Sequence, residues 1–350
     1  MFRPIHFLLL CCFTIHVKAQ ETQLNKGIRA YEIQDYDRAI EQLDSALLLC
    51  TSCHDSILAK IEMYRGKYFQ YIGRHERAYP AYENGMQYAR KSGSQNIKFW
   101  ANVCLAEFMR SREKLDSAMV LLDGIKEQIK DPAVSLANKG YYYNRLGAIL
   151  LETKSSPQKL KEVSDNALSI FSELKDTLSM ASTLNVLGRY FEDANLLTEA
   201  ESTYERAVQL LSETENKRDF VDVIINYSST CRKLGKYNKS IDLANKGLSL
   251  CDSSAAWHEP LYYLYIERAI SYEQLGDMRQ AFDNISLGYK HSVKYLSQRY
   301  NDQIARVSKQ LDLRNKEIAL QDERLAKQQV EANLLAEQKS KNTFRAMLGI

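Results

Sequence analysis

Apolar and small residues recur three and four positions apart through most of the chain, the spacing that lines one face of a helix. Six stretches align by their punctuation: QDYDRAIEQLDSA from Gln34, GRHERAYPAYENG from Gly73, EKLDSAMVLLDGI from Glu113, NLLTEAESTYERA from Asn195, GKYNKSIDLANKG from Gly235 and GDMRQAFDNISLG from Gly276. Each opens on a turn residue and places a small residue five positions later: Ala39, Ala78, Ala118, Ala200, Ser240 and Ala281. Most copies add a second small residue on the same face, at Ala46, Gly85, Ala207, Gly247 and Gly288. Small side chains there let a neighbouring helix approach closely, and the turn residue ends the helix before.

Each aligned stretch has an upstream partner with its own apolar and small positions. LNVLGRYF supplies Leu184, Leu187, Gly188 and Phe191; YNRLGAIL supplies Tyr143, Leu146, Gly147 and Leu150; MYRGKYF supplies Gly66 and Phe69. Composition agrees with helix throughout, since only 14 Gly and 5 Pro interrupt a chain rich in good helix formers. With 45% hydrophobic residues a sizeable core is available.

This pairing of helices resembles the tetratricopeptide repeat, with its Trp-Leu-Gly-Tyr first helix and Ala-aromatic-Ala second helix. The resemblance covers residues 22–290 in about seven units, with a period near 40 residues and an irregular fourth unit around SSPQKLKEVSDNALSI. It implies an all-α superhelical solenoid of helix-turn-helix repeats, in the long-period variant of the family. It also implies that first helices line a concave groove, with an inner face of Lys60, Met63, Lys67, Trp100, Glu107, Arg110, Tyr141, Asn144, Ser182, Asn185, Arg189, Asp222 and Tyr263. Aromatic and amide groups with mixed charges suit a protein or peptide ligand: rings supply contact area and amides pair with an extended backbone.

After Ser292 the pattern changes. Residues 292–342 contain no Gly and no Pro, and Ile304, Leu311, Ile318, Leu325 and Ala332 recur every seven positions. That is the seam of a left-handed coiled coil, and it implies a homodimer through the C-terminal helix. Of the companion positions Val307 and Leu335 are apolar, whereas Arg314, Gln321 and Gln328 are not. The stretch 343–350, with the apolar FRAMLGI from Phe344, reads as the start of a transmembrane segment, giving membrane attachment through the C-terminal end. At the other end, residues 1–19 read as a signal peptide, with Arg3 ahead of an apolar run and small Ala19 before the cut. Signal, repeats, charged helix and span together resemble the exported, periplasmic sensing half of bacterial tetratricopeptide membrane regulators. An exported assembly scaffold without signalling output is the alternative.

A formal net charge of +3 without a basic stripe argues against nucleic acid as a partner. Glycine-rich phosphate loops, Gly-x-Ser-x-Gly elbows and His-Glu-x-x-His pairs are absent from the sequence, so no enzymatic activity and no catalytic residues are expected. One motif stands apart. CTSCH, residues 50–54, has the attachment spacing of a c-type haem through Cys50, Cys53 and His54. The same residues also read as a disulfide, which an oxidising compartment permits, or as two ordinary thiols beside a helix end. A haem needs an apolar pocket, whereas His54 falls in a polar connection between repeats, so no cofactor is expected. Zinc would need a second Cys/His pair, which the sequence does not offer.

Overall fold

In a computed structural model, residues 21–30, 36–50, 53–72, 74–154, 157–252 and 257–348 are described, and among them every regular element is helical. The helices are α1 (residues 21–30), α2 (Tyr36–Leu48), α3 (Asp55–Tyr71), α4 (His75–Lys91), α5 (Gln95–Ser111), α6 (Leu115–Asp123), α7 (Leu136–Glu152) and α8 (Pro157–Glu173). There follow α9 (Thr177–Asp193), α10 (Leu197–Ser212), α11 (Lys217–Lys233), α12 (Tyr237–Leu250), α13 (His258–Gln274) and α14 (Met278–Leu348). A short 3-10 turn, Lys126–Lys130, follows α6. The signal-like stretch at 1–19 lies outside the described residues. No described helix is long and apolar enough to cross a membrane.

The chain divides into two compact units, residues 1–297 and 298–350. In the first, odd- and even-numbered helices pair, α3 with α4 through α11 with α12, and each even helix from α4 onward also packs on the next odd one. Odd helices touch one another in sequence, α3 to α5 to α7 to α9 to α11 to α13. The result is a solenoid of helical pairs with the first helices sharing one layer. The period near 40 residues follows from helix length, because eight of these helices, from α3 to α13, are 17 residues long.

Turn residues used as punctuation in the sequence have a defined geometry. Glu113, Lys154, Asn195, Gly235 and Gly276 all adopt positive φ, between 50° and 82°, where each first helix ends. The amide after the turns at Glu113, Asn195, Gly235 and Gly276 reaches back five residues, as in Lys236 N–H to Cys231 O at 2.9 Å and Asp277 N–H to Tyr272 O at 3.0 Å. The turn residue itself bonds three back, which completes a Schellman cap and satisfies two helix carbonyls. Lys154 places the turn of the fourth unit forty-one residues after Glu113, so the unit that looked irregular in sequence is regular in structure.

The small residues do what their spacing requires. Ala39, Ala78, Ala118, Ala200 and Ser240 are fully buried. A β-carbon added at Gly188 would come within 2.5 Å of the Tyr204 ring, and one at Gly140 within 2.7 Å of Phe171. Each glycine is therefore the slot that a buried aromatic of the paired helix fills.

Two expectations change. The long helix does not begin after the repeats: α14 is the second helix of the seventh pair and continues unbroken from Met278, since nothing between Gly288 and the seam breaks a helix. Along it Ile304, Leu311, Ile318, Leu325 and Ala332 are exposed. The haem reading of CTSCH is also corrected. Cys50 and Cys53 are joined as a disulfide, which leaves no thiol for a thioether, and the His54 ring caps α3 by accepting the Ser56 N–H at 3.2 Å.

Candidate functional site

First helices enter the inner layer behind polar caps. Ser94, Ser135, Asp176 and Asn216 cap α5, α7, α9 and α11, each side chain accepting the backbone N–H three residues on. With their starts fixed in this way, five consecutive first helices enclose a cavity of about 650 Å³. Tyr64, Lys67 and Tyr71 line it from α3; Trp100, Val103, Cys104, Glu107 and Arg110 from α5; Tyr141, Asn144 and Arg145 from α7. Asp176, Leu178, Ser179, Ser182 and Asn185 follow from α9 and its cap, then Leu211, Asn216, Asp219, Asp222 and Val223 from α10, α11 and its cap. The Tyr71 hydroxyl donates to Asp219 at 3.4 Å, so the end of α3 meets the start of α11 across four repeats.

Three chemical zones share this space. One is aromatic and basic: the Lys67 ammonium lies 5.1 Å from the Tyr64 ring centroid and 5.5 Å from that of Trp100, within cation–π range. A second is an ion-pair network. Arg110 donates to both carboxylate oxygens of Glu107, at 2.9 and 2.8 Å, and also to Glu152, while Arg145 stands 3.5 Å from Glu107. Burial pushes the Glu107 carboxyl up, but Arg145 and Arg110 together outweigh it and hold the group at about 2. The third zone is acidic, with Asp176, Asp219 and Asp222. Burial, then the neighbouring Asp222, raises Asp219 to about 6, against the smaller opposing effects of Arg145 and Tyr71. Burial likewise raises Tyr141, whose hydroxyl is 3.5 Å from Asp176, and keeps the Cys104 thiol protonated.

Asp219 gives a pH-dependent prediction. Its folded-state pKa lies above that of an unfolded aspartate, so stability is lost as the pH rises from about 4, where the unfolded chain ionises, and the loss is complete above about 6. Asp219→Asn is expected to stabilise the protein by about 1 kcal/mol at pH 8 and by nothing at pH 4. Denaturant titrations at the two pH values measure this, and an equal effect at both would contradict it.

Of the residues the sequence placed on the inner face, Lys67, Trp100, Glu107, Arg110, Tyr141, Asn144, Ser182, Asn185 and Asp222 line the cavity. Met63 does not: it is fully buried, with its side chain against Gly85, and belongs to the core. The reason is register, since α3 presents Tyr64, Lys67 and Tyr71, one residue on from the face expected through Lys60 and Met63. Lys60, Arg189 and Tyr263 are exposed and stand outside the cavity. Sequence reasoning missed Tyr64, Tyr71, Arg145, Asp176, Ser179, Asn216 and Asp219. Two of these, Asp176 and Asn216, were findable as caps preceding apolar helices.

No family model and no curated protein sequence matches the chain. Solved structures do match. The structure of NprR in complex with its cognate peptide NprX superposes with a TM-score of 0.52 at 12% identity, covering 82% of this chain and 84% of that one. A signal transduction ATPase with numerous domains, carrying a tetratricopeptide repeat sensor, from Pyrococcus horikoshii, gives 0.51 at 15% identity, with 82% of this chain matching 44% of that one. Repeated pairs, Schellman turns, small-residue slots and these likenesses agree: the chain has a tetratricopeptide-type helical-repeat fold.

Proposed function

We propose that the chain is a non-enzymatic module that binds an extended peptide or protein segment in the cavity between α3 and α11, and that it serves as the exported sensing region of a membrane-anchored regulator. One observation carries the binding reading: five consecutive first helices converge on one cavity that offers aromatic, cationic, amide and acidic groups side by side. Such a mixture meets a peptide's side chains and backbone together, and no one small molecule needs all of it. That NprR was solved with a peptide bound supports the same choice. A ligand touching both α3 and α11 would fix the spacing between the second and sixth pairs and so bias the curvature of the array. The last pair ends in α14, whose heptad seam at Ile304, Leu311, Ile318 and Leu325 would carry that bias along a paired helix toward the membrane. The signal-like residues 1–19 and the apolar 343–350 motivate export and attachment.

Random peptides displayed on phage and selected on the purified chain provide the test. Selected sequences should bind the parent protein, and Lys67→Ala or Ser182→Trp should weaken them at least tenfold, about 1.4 kcal/mol. Lys60→Ala, outside the cavity, should change nothing. Peptides that bind all three variants as tightly as the parent would overturn the assignment of the cavity.

A further inference from the structure

Two half-buried carboxylates of the cavity are in opposite states. Glu107 accepts from Arg110 at 2.8 and 2.9 Å and has Arg145 at 3.5 Å, so its charge is matched twice over. Asp219 takes part in no ion pair among the described residues. Its carboxylate accepts from the Tyr71 hydroxyl at 3.4 Å and from the Asn216 side-chain amide at 2.9 Å, both of them neutral. Burial, then Asp222, raises it to about 6, whereas Glu107 stands at about 2. Asp176 resembles Asp219: its partners are the Tyr141 hydroxyl at 3.5 Å and the Ser179 N–H at 3.0 Å. Asp222 has Arg218 at 3.3 Å but shares it with Glu259 of α13, 3.7 Å from the same guanidinium.

The imbalance holds for the lining as a whole. Among its described residues four carboxylates, Glu107, Asp176, Asp219 and Asp222, meet three cations, Lys67, Arg110 and Arg145. Arg110 and Arg145 are taken up by Glu107, Arg110 by Glu152 as well, and Lys67 lies over the Tyr64 and Trp100 rings. Nothing in the lining is left to neutralise Asp219 and Asp176. Asp219 stands in the first turn of α11, where the helix dipole favours an anion, but that gain is only about 0.3–1 kcal/mol. Taking a carboxylate out of water without a countercharge costs stability, and groups left in this state concentrate at binding and catalytic sites.

On the reading that a peptide occupies this cavity, we infer that the acidic zone takes a cationic nitrogen group of that peptide against Asp219 and Asp222, so that the cavity selects segments with a free N-terminal ammonium or a basic side chain at this point. The ligand then supplies the charge that the lining lacks. Tyr71 and Tyr141 bring an aromatic ring beside Asp219 and Asp176, and a desolvated cation gains from a ring as well as from a carboxylate. An anionic group has no place in this zone, since it would meet three carboxylates, whereas an uncharged group would leave Asp219 as it is. The Glu107 network offers no rival seat, because its carboxylate is already held by two arginines.

The phage-selected peptides are the probe. Each is synthesised unmodified, acetylated at its N-terminus, and with every Lys or Arg replaced by Gln one at a time, and is titrated calorimetrically against the full chain at pH 8. One of these charge removals should weaken each peptide by about tenfold or more. Loss on acetylation identifies the terminal ammonium, and loss at a single Gln identifies a side chain. Asp219→Asn, which is expected to raise stability at this pH, should weaken the unmodified peptide by a similar factor and leave the neutralised form unchanged, because the two charges meet. Peptides that depend on Lys67 and Ser182 but ignore every charge removal, or that bind Asp219→Asn as tightly as the parent, would overturn the inference and leave the cavity as the peptide site. A library that yields no cavity-dependent peptide would remove both.

Discussion

Truncating Tyr204 to alanine is expected to lower the free energy of unfolding by about 3–5 kcal/mol, the range for losing a large buried aromatic. Its ring is fully buried in the slot over Gly188, 6.3 Å from the Tyr227 ring, and its hydroxyl stands 3.4 Å from Glu192. Removing it opens a cavity between α9 and α10 and frees the close contact on which that pair is built. Gly188→Ala should destabilise as well, by about 1–3 kcal/mol, because the new methyl meets the ring. The two are coupled: in the Tyr204→Ala background the methyl enters empty space, and the cost of Gly188→Ala should largely vanish. Denaturant unfolding of the four proteins in the cycle measures this, and strictly additive effects would rule out the slot as the cause.

The second large effect concerns the ion-pair network in the cavity. Glu107→Gln should cost about 2 kcal/mol at pH 7, a figure reduced from the full pKa displacement because the side chain keeps 20% exposure. Glu107 is held at about 2 by Arg145 and Arg110, below the usual carboxylate range, so its contribution is complete above about pH 4.5 and disappears as the pH falls through 2. The cost of the substitution should shrink in step. Urea titrations at pH 7 and pH 3 give the comparison, and an equal cost at both would mean that charge is not what the network contributes.

The repeat was legible because it is written in residues with one structural use each. Glycine and alanine at fixed intervals mark where helices touch, and Gly235 and Gly276 mark positive φ directly. Glu113 and Lys154 adopt the same backbone without a telltale side chain, and for that reason the fourth unit looked irregular. The exposure of Phe282 and Tyr289 was not legible, because their spacing is also the pattern of an ordinary core face. Only the structure shows that, among the described residues, both side chains are exposed.

Site residues were harder for a physical reason. A first helix packed between neighbours is buried on several sides, and α3 carries buried Ala59, Ile61, Met63, Gly66, Tyr68 and Phe69 around most of its circumference. Periodicity then fixes the helix but not which narrow strip faces the cavity, and a one-residue error turns the strip by about 100°. Asp219 and Tyr71 lie 148 positions apart and meet only because the array curves, which no local pattern encodes.

The central claim is that a peptide lies along the first helices, and hydrogen exchange of the full chain with and without a selected peptide tests it most directly. Slowed exchange confined to α3, α5, α7, α9 and α11, with α4, α6, α8 and α10 unchanged, is the result predicted by a ligand in the cavity. Protection confined to the second helices or to α14, with the first helices unaffected, would contradict it.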